Sequence, residues 1–345
     1  MTACAFITGI CGTALTEAER GFLREARPWG LILFKRNIES VSQVAALTAS
    51  FRDAVGADAP VLVDQEGGPV QRLGPPIWPS YPAAAVYGRH YERDRAGALA
   101  AARLGARLIA DDLAQLGIDV DCLPVADVPA AGADPVIGER AYGETPDKVA
   151  ALAGAAAAGL MDGGVLPVVK HLPGHGRANA DSHLQLPVVS ATRADLEASD
   201  FAAFRPLAGL PLGMTAHVVF SVYDPVTPAT TSVTIVQQVI RDSIGFKGLL
   251  MSDDVSMGAL SGSIAERTRA ALAAGCDVVL HCNGELDEME EVAAEAPPLA
   301  GVALGRADAA LAARGAGTGI DVAEARRNFA AMLAAEPTAG ARRAS

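Results

Sequence analysis

The chain is short of cysteine pairs. Its five cysteines, Cys4, Cys11, Cys122, Cys276 and Cys282, are odd in number and none form a CxxC pair. Neither a disulfide framework nor a zinc knuckle is expected, and a reducing compartment is. Basic charge is also scarce. Lys and Arg total 28 against 40 Asp and Glu, a net −12, with no basic stripe, so nucleic acid is not an expected partner. A charge of that size speaks to solubility. Aromatics make up only 5% of the residues, and no apolar run reaches the length of a membrane span. The apolar start MTACAFITGICGTAL lacks the basic region of a signal peptide and soon breaks into Gly and Thr. It reads as a first buried strand, and cytoplasmic residence is expected, with no membrane contact. No linker, internal repeat or low-complexity block divides the chain.

What is present is a repeated alternation. Eight short apolar runs, AFITG (5–9), GLILF (30–34), PVLVD (60–64), IDVDCLPV (118–125), LPVVKH (166–171), PLGMTAH (211–217), GLLMSD (248–253) and CDVVLH (276–281), are rich in Val, Ile and Leu and do not alternate with polar residues. Strands buried on both faces look like this. Between them lie amphipathic stretches with helix signals. Thr16 with Glu19 and Ser40 with Gln43 read as capping boxes, and Thr145 before Pro146 as a cap with Pro at the first helical position. Gly245 and Gly275 stand near helix ends, and long helices are expected near 92–116 and 147–162. Strand–helix units in this number predict an α/β fold with a parallel sheet, closed as a (β/α)₈ TIM-type barrel. One catalytic domain is expected over 1–335, with a frayed tail over 336–345.

Polar residues close the apolar runs. Asp64 ends the third, Lys170 and His171 the fifth, His217 the sixth, Asp253 and Asp254 the seventh, and His281 and Asn283 the eighth. In a parallel barrel the strand ends share the face that carries the active site. A charge at the end of a buried strand is costly unless paired or used. Several in register predict a pocket of carboxylates, imidazoles and a Lys; inter-strand salt bridges at the rim are the plainer alternative.

The densest segment is KHLPGHGRANADSH, residues 170–183. Pro173, Gly174 and Gly176 work against a helix, so a long polar loop able to close over a ligand is expected. Asp181 and His183 are two apart and can meet in a turn, where the carboxylate would fix the imidazole tautomer and raise its basicity. That pairing suits a general acid/base. A metal site using His171 and His175, with or without His183, is a second reading, although the spacing is not a helical HExxH; a purely structural loop is a third. Asp253 is a candidate nucleophile or electrostatic stabiliser of a cationic transition state. Asp254 is expected to cap the following turn. In VLVDQEGGPVQR, Asp64 could accept sugar hydroxyls and Arg72 could clamp a hydroxyl or carboxylate, with Gly67 and Gly68 turning the chain. Arg140 is a further donor candidate.

The stretches GLILFKRN, VDQEGGPVQR, GERAYG, KHLPGHGRANADSH, MTAH, LLMSDDVSM and AGCDVVLHCN, in this order, resemble glycoside hydrolase family 3 and in particular its single-domain bacterial β-N-acetylglucosaminidases. The resemblance implies a retaining double displacement without cofactor or metal. Asp253 would be the nucleophile, His183 the proton shuttle and Asp181 its partner. Sugar binding would fall on Asp64, Arg72, Arg140, Lys170 and His171, with His217 in a less definite pocket role. A His acid/base departs from the usual pair of carboxylates. Leu172 and Pro69 stand where the family usually has Phe and Arg. The sandwich domain of larger members, with its Glu acid/base, is not expected. The implied substrate is the terminal N-acetylglucosamine (GlcNAc) of cell-wall muropeptides, GlcNAc linked to 1,6-anhydro-N-acetylmuramic acid with or without peptide, and the implied state a monomer. Three rivals remain at this point: a β-N-acetylglucosaminide phosphorylase, a Schiff-base lyase using Lys170, and a sugar-binding protein without catalysis.

Overall fold

A computed structural model describes residues 2–334, so the expected tail 336–345 lies outside the described residues. All eight expected strands form: β1 (Cys4–Thr8), β2 (Pro28–Leu33), β3 (Val61–Val63), β4 (Val120–Asp121), β5 (Leu166–Leu172), β6 (Leu212–Thr215), β7 (Leu249–Asp254) and β8 (Val278–His281). Each pairs in parallel with its sequence neighbours, and β8 returns to β1 to close a (β/α)₈ barrel.

The barrel is filled from within. Ile7, Ile32, Leu62, Val120, Val168, Met214, Met251 and Leu280, one from each strand, belong to one buried apolar cluster. The opposite faces of the strands pack under the helices, which explains the lack of polar alternation. β4 is the exception in length. Eight residues of apolar pattern yield two in the ladder: the Asp119 backbone still bonds Val61 and Leu166, but its side chain takes the Val61 N–H at 2.7 Å and Arg52 at 3.0 Å, and Pro124 has no N–H to give.

The helices largely follow their signals. Thr16 and Glu19 form a full capping box for the helix Glu17–Ala26. Ser40 accepts from the Gln43 N–H as expected, but the Gln43 amide turns away to the Glu39 N–H and the Thr13 and Asn37 carbonyls, so that box is half made. Pro146 opens Pro146–Asp162, yet the Thr145 side chain makes no capping bond. The expected 92–116 helix spans Arg95–Ala114, capped by Asp94. Gly275 ends Ile264–Ala274 at φ 113°, a left-handed turn that favours glycine. Among the described residues no helix is long and apolar enough to cross a membrane.

Candidate active site

The parallel strands deliver their C-terminal ends to one face, and there a cavity of about 220 Å³ opens. Asp64, Arg72, Arg140, Lys170, His171, His183 and Asp253 all line it. Seven positions far apart in the chain are thus gathered in one place.

Its floor is a set of paired charges. Lys170, 3% exposed at the end of β5, reaches Asp64 at 2.9 Å and Glu66 at 2.7 Å. Arg72 donates to the second Asp64 oxygen at 2.9 Å and lies 5.3 Å from the centre of the Phe34 ring. Arg140 holds Glu66 with a two-pronged grip of 2.9 and 2.8 Å. The hairpin just after β3 makes this possible. Gln65–Gly67 pairs antiparallel with Val70–Gln71 and carries Arg72 back over Asp64. Gly67 and Gly68 turn it at φ 87° and 58°, and a Cβ on Gly68 would fall 2.5 Å from that of Ala83, so only glycine fits.

These pairs set the ionisation. Burial opposes the charge on Asp64, but Lys170 and Arg72 outweigh it and hold the carboxyl well below its usual range. For Glu66 burial is likewise overcome by Lys170 and Arg140. Burial works against the Lys170 ammonium, but Asp64 and Glu66 push its pKa up. Schiff-base chemistry needs a lysine shifted the other way, towards the neutral amine, so the lyase reading loses its basis.

Asp253, at the end of β7, faces the same cavity. Its backbone N–H donates to Thr215 Oγ1 at 3.3 Å, and its Oδ1 accepts from the Asp254 N–H at 2.8 Å. Burial disfavours its charge, but His217, His171, that N–H and Lys170 together bring its pKa below the ordinary value. It is an ionised carboxylate held by its backbone, with no hydrogen-bond partner for its other oxygen among the described residues. Asp254 takes the capping role expected of it, accepting from the Ser256 N–H and hydroxyl and from the Cys282 N–H.

Over the floor lies the loop after β5, without helix as expected. His183 Nδ1 meets Asp181 Oδ1 at 2.7 Å, and the same oxygen accepts the His183 N–H at 2.9 Å. The dyad is open to solvent, with side-chain exposures of 63% for His183 and 32% for Asp181. Burial opposes the Asp181 charge, but the His183 bonds together outweigh it and lower its pKa.

Three sequence expectations change here. His217 does not line the cavity. It is fully buried, with Nδ1 against Thr230 Oγ1 at 2.7 Å and Nε2 against the Asp254 carbonyl at 2.9 Å; a carbonyl only accepts, so Nε2 is the donor. It stands behind Asp253 as support. His281 and Asn283 face Glu288, at 3.0 and 2.5 Å, while Leu280 and Cys282 take the inward positions; a two-residue strand period puts neighbours on opposite sides. Lys170 and His171 escape that rule and both line the cavity, at a register irregularity of β5 between Val169 and Leu172. The metal reading of the three histidines also gives way. His175 bonds Ser182, His171 bonds Asp127 and His183 bonds Asp181, and among the described residues no His, Cys, Asp and Glu group is arranged to hold a metal ion.

Two contributors had gone unassigned. Glu66 sits two residues after Asp64, on the same side of an extended chain, and that spacing was a usable signal. Asp127, fully buried, accepts from His171 Nδ1 at 2.7 Å and from the His171 and His175 N–H groups at 3.3 and 2.6 Å. It falls just beyond the end of the fourth apolar run, where no local pattern marks it.

Known proteins share this arrangement of barrel and chain. The family model of the glycosyl hydrolase family 3 N-terminal domain matches residues 10–300. A β-hexosaminidase of Alkalilimnicola ehrlichii is 42% identical over 279 residues, covering 80% of this chain and 79% of its own. The crystal structure of native NagZ from Neisseria gonorrhoeae superposes with a TM-score of 0.85 at 35% identity over 97% of both chains. The same protein in complex with N-trifluoroacetyl-D-glucosamine gives the same score, identity and coverage. With the family model matching most of its length and a relative above 40% identity, this chain belongs to glycosyl hydrolase family 3.

Proposed function

We propose that the chain is a retaining exo-β-N-acetylglucosaminidase with Asp253 as nucleophile and His183 as acid/base. The observation that carries this is the sharing of one sugar-sized cavity by an ionised, backbone-held Asp253 and an imidazole paired to Asp181. The relatives named above, a β-hexosaminidase and a NagZ described with a glucosamine derivative, support the choice of sugar.

In this mechanism an Asp253 oxygen attacks the anomeric carbon while His183, protonated at Nε2, gives its proton to the departing glycosidic oxygen. A glycosyl ester on Asp253 results. Neutral His183 then takes a proton from water, whose oxygen attacks the anomeric carbon and releases Asp253. Asp181 steadies the imidazolium in the first half and keeps Nδ1 as the donor in the second. Asp64, Arg72, Arg140, Lys170 and His171 would grip the sugar hydroxyls and acetamido group, with Glu66 fixing two of those cations. The aglycones we assign are the 1,6-anhydro-N-acetylmuramic acid fragments of wall turnover, with or without peptide. We place their cleavage in the cytoplasm, by a monomer.

Incubation with a chromogenic β-GlcNAc glycoside and with a disaccharide-peptide wall fragment, followed by mass spectrometry, tests this. Free GlcNAc is expected from both. No turnover of either would refute the activity, turnover of the first alone would refute the aglycone, and GlcNAc 1-phosphate in phosphate buffer would show a phosphorylase.

A further inference from the structure

His175 and Ser182 also line the cavity, but neither belongs to the paired charges of its floor or to the proposed acid/base pair. His175 is buried at 3% exposure, as is Ser182. Its backbone N–H is fixed by Asp127 Oδ1 at 2.6 Å, and its Nε2 meets Ser182 Oγ at 3.0 Å. Ser182 stands between Asp181 and His183. The bond therefore joins the start of the loop, next to the sugar-site residue His171, to the part that carries the dyad.

The surroundings show what that bond has to do. The loop backbone is tied to its neighbours at Gly176 and Ala178 by the Ala130 and Asp134 N–H groups, at 2.9 and 2.8 Å. At its far end the ties lengthen: the Ser182 and His183 carbonyls accept from Ala259 and Gly258 at 3.2 and 3.3 Å. Among the described residues the His183 ring hydrogen-bonds no barrel residue; its partner there is Asp181, on the same loop. With the His183 ring mostly in solvent, its placement at the cavity depends on what Ser182 is fastened to. Asp127 completes the link, since the same carboxylate that anchors His175 also orients the His171 ring. Burial and the neighbouring His171 lower the His175 pKa to about 4, so at neutral pH the ring is uncharged and can share a hydrogen bond with a hydroxyl without bringing charge to the loop.

We infer that His175 and Ser182 form a buried clasp that holds the Asp181–His183 dyad in place over the cavity, making both of them positioning residues for proton transfer. The inference rests on the acid/base reading of His183. A clasp of this kind acts on leaving-group protonation, while the paired floor that holds the sugar is left as it was.

The test compares kcat/KM on two β-GlcNAc glycosides, one with an activated aryl leaving group and one with a sugar leaving group, together with inhibition by GlcNAc, in the full chain. Ser182→Ala is expected to lower kcat/KM on the sugar leaving group about tenfold, as the loss of one net hydrogen bond allows. It should move the alkaline limb of the pH profile, and leave both the activated substrate and GlcNAc inhibition within about twofold of the parent. His175→Gln, whose amide can still reach a hydroxyl, should fall less than His175→Leu. Equal loss on both substrates, a matching loss of GlcNAc inhibition, a melting temperature several degrees lower in S182A, or no change at all would each overturn the clasp. His183→Ala is the control. If it shows no leaving-group dependence, the acid/base reading itself has failed; if it does and S182A does not, only the clasp has.

Discussion

The floor and the roof of this site are built by opposite means. The floor consists of side chains on strand ends, on a glycine-turned hairpin and, for Arg140, on the short turn Gly138–Arg140. Its charges are buried or partly buried and each meets a partner of opposite sign: Lys170 with Asp64 and Glu66, Arg72 with Asp64, Arg140 with Glu66. The roof is a loop whose Asp181 and His183 side chains bond each other and, among the described residues, no other side chain, with the His183 ring largely in water. Pairing a buried charge from several sides makes a rigid receptor, since moving any member strands another. The dyad is tied to the rest of the protein through Ser182 and a few longer backbone bonds, a softer support that would suit the proposed acid/base, a group that acts twice. On the proposed reading, sugar binding and proton transfer fall to different pieces of backbone.

The contrast can be broken from either side. Asp253→Ala should produce the largest effect, lowering turnover by more than about 10³-fold while GlcNAc still binds; near-normal activity there, with loss in Asp254→Ala, would show that the wrong carboxylate had been chosen. His183→Ala should cost about 10²–10⁴-fold on poor leaving groups and much less on activated ones, yet change unfolding free energy by no more than about 0.5 kcal/mol, as for other exposed positions. Lys170→Met should do the reverse. It leaves Asp64 and Glu66 short of a cation in the floor, so stability should fall by about 3–5 kcal/mol, read by denaturant unfolding, and sugar affinity should fall with it. Similar stability losses in the two variants would erase the distinction between floor and roof.

The smallest effect concerns the loop anchor Arg177, which donates to Asp200 at 2.6 Å. Burial raises the Asp200 pKa to about 6, against the pull of Arg177. The folded chain then binds a proton there that the unfolded chain, with a carboxyl near 4, does not. Stability from this group is therefore greatest below about pH 4, falls as pH rises to about 6, and is flat above. Relative to Asp200→Asn, the parent should lose melting temperature as pH rises across that window. A difference constant with pH would deny the shift.

Much of the floor was legible in the sequence because the barrel itself was. Buried strands leave unbroken apolar runs, and a charged residue ending such a run is conspicuous, which identified Asp64, Lys170, His171 and Asp253. The same rule misplaced His281, because a strand end offers two sides and only one is the cavity; Leu280 and Cys282 hold it. It also overvalued His217, whose ring is spent on Thr230 and the Asp254 carbonyl. Asp181 and His183 were readable as a pair because a turn brings residues two apart together. Asp127 was not, since its partners His171 and His175 lie more than forty positions on, and no local pattern records a contact of that range. Ser40 and Gln43 show the same limit on a small scale, the Gln amide being drawn off by the Thr13 and Asn37 carbonyls.

The pairing of the floor has a further consequence, for the way the protein responds to salt. Ions in solution screen exposed charges over about 10 Å at 0.1 M but reach buried pairs poorly. Asp64 and Glu66 are already balanced by Lys170, Arg72 and Arg140 in a largely desolvated cluster, and an uncharged sugar brings no counter-ion with it. Its grip should pass almost unaltered from dilute buffer to concentrated brine, while the exposed Asp181–His183 attraction weakens. In such an enzyme ionic strength acts on the rate of the proton and leaves the hold on the sugar alone.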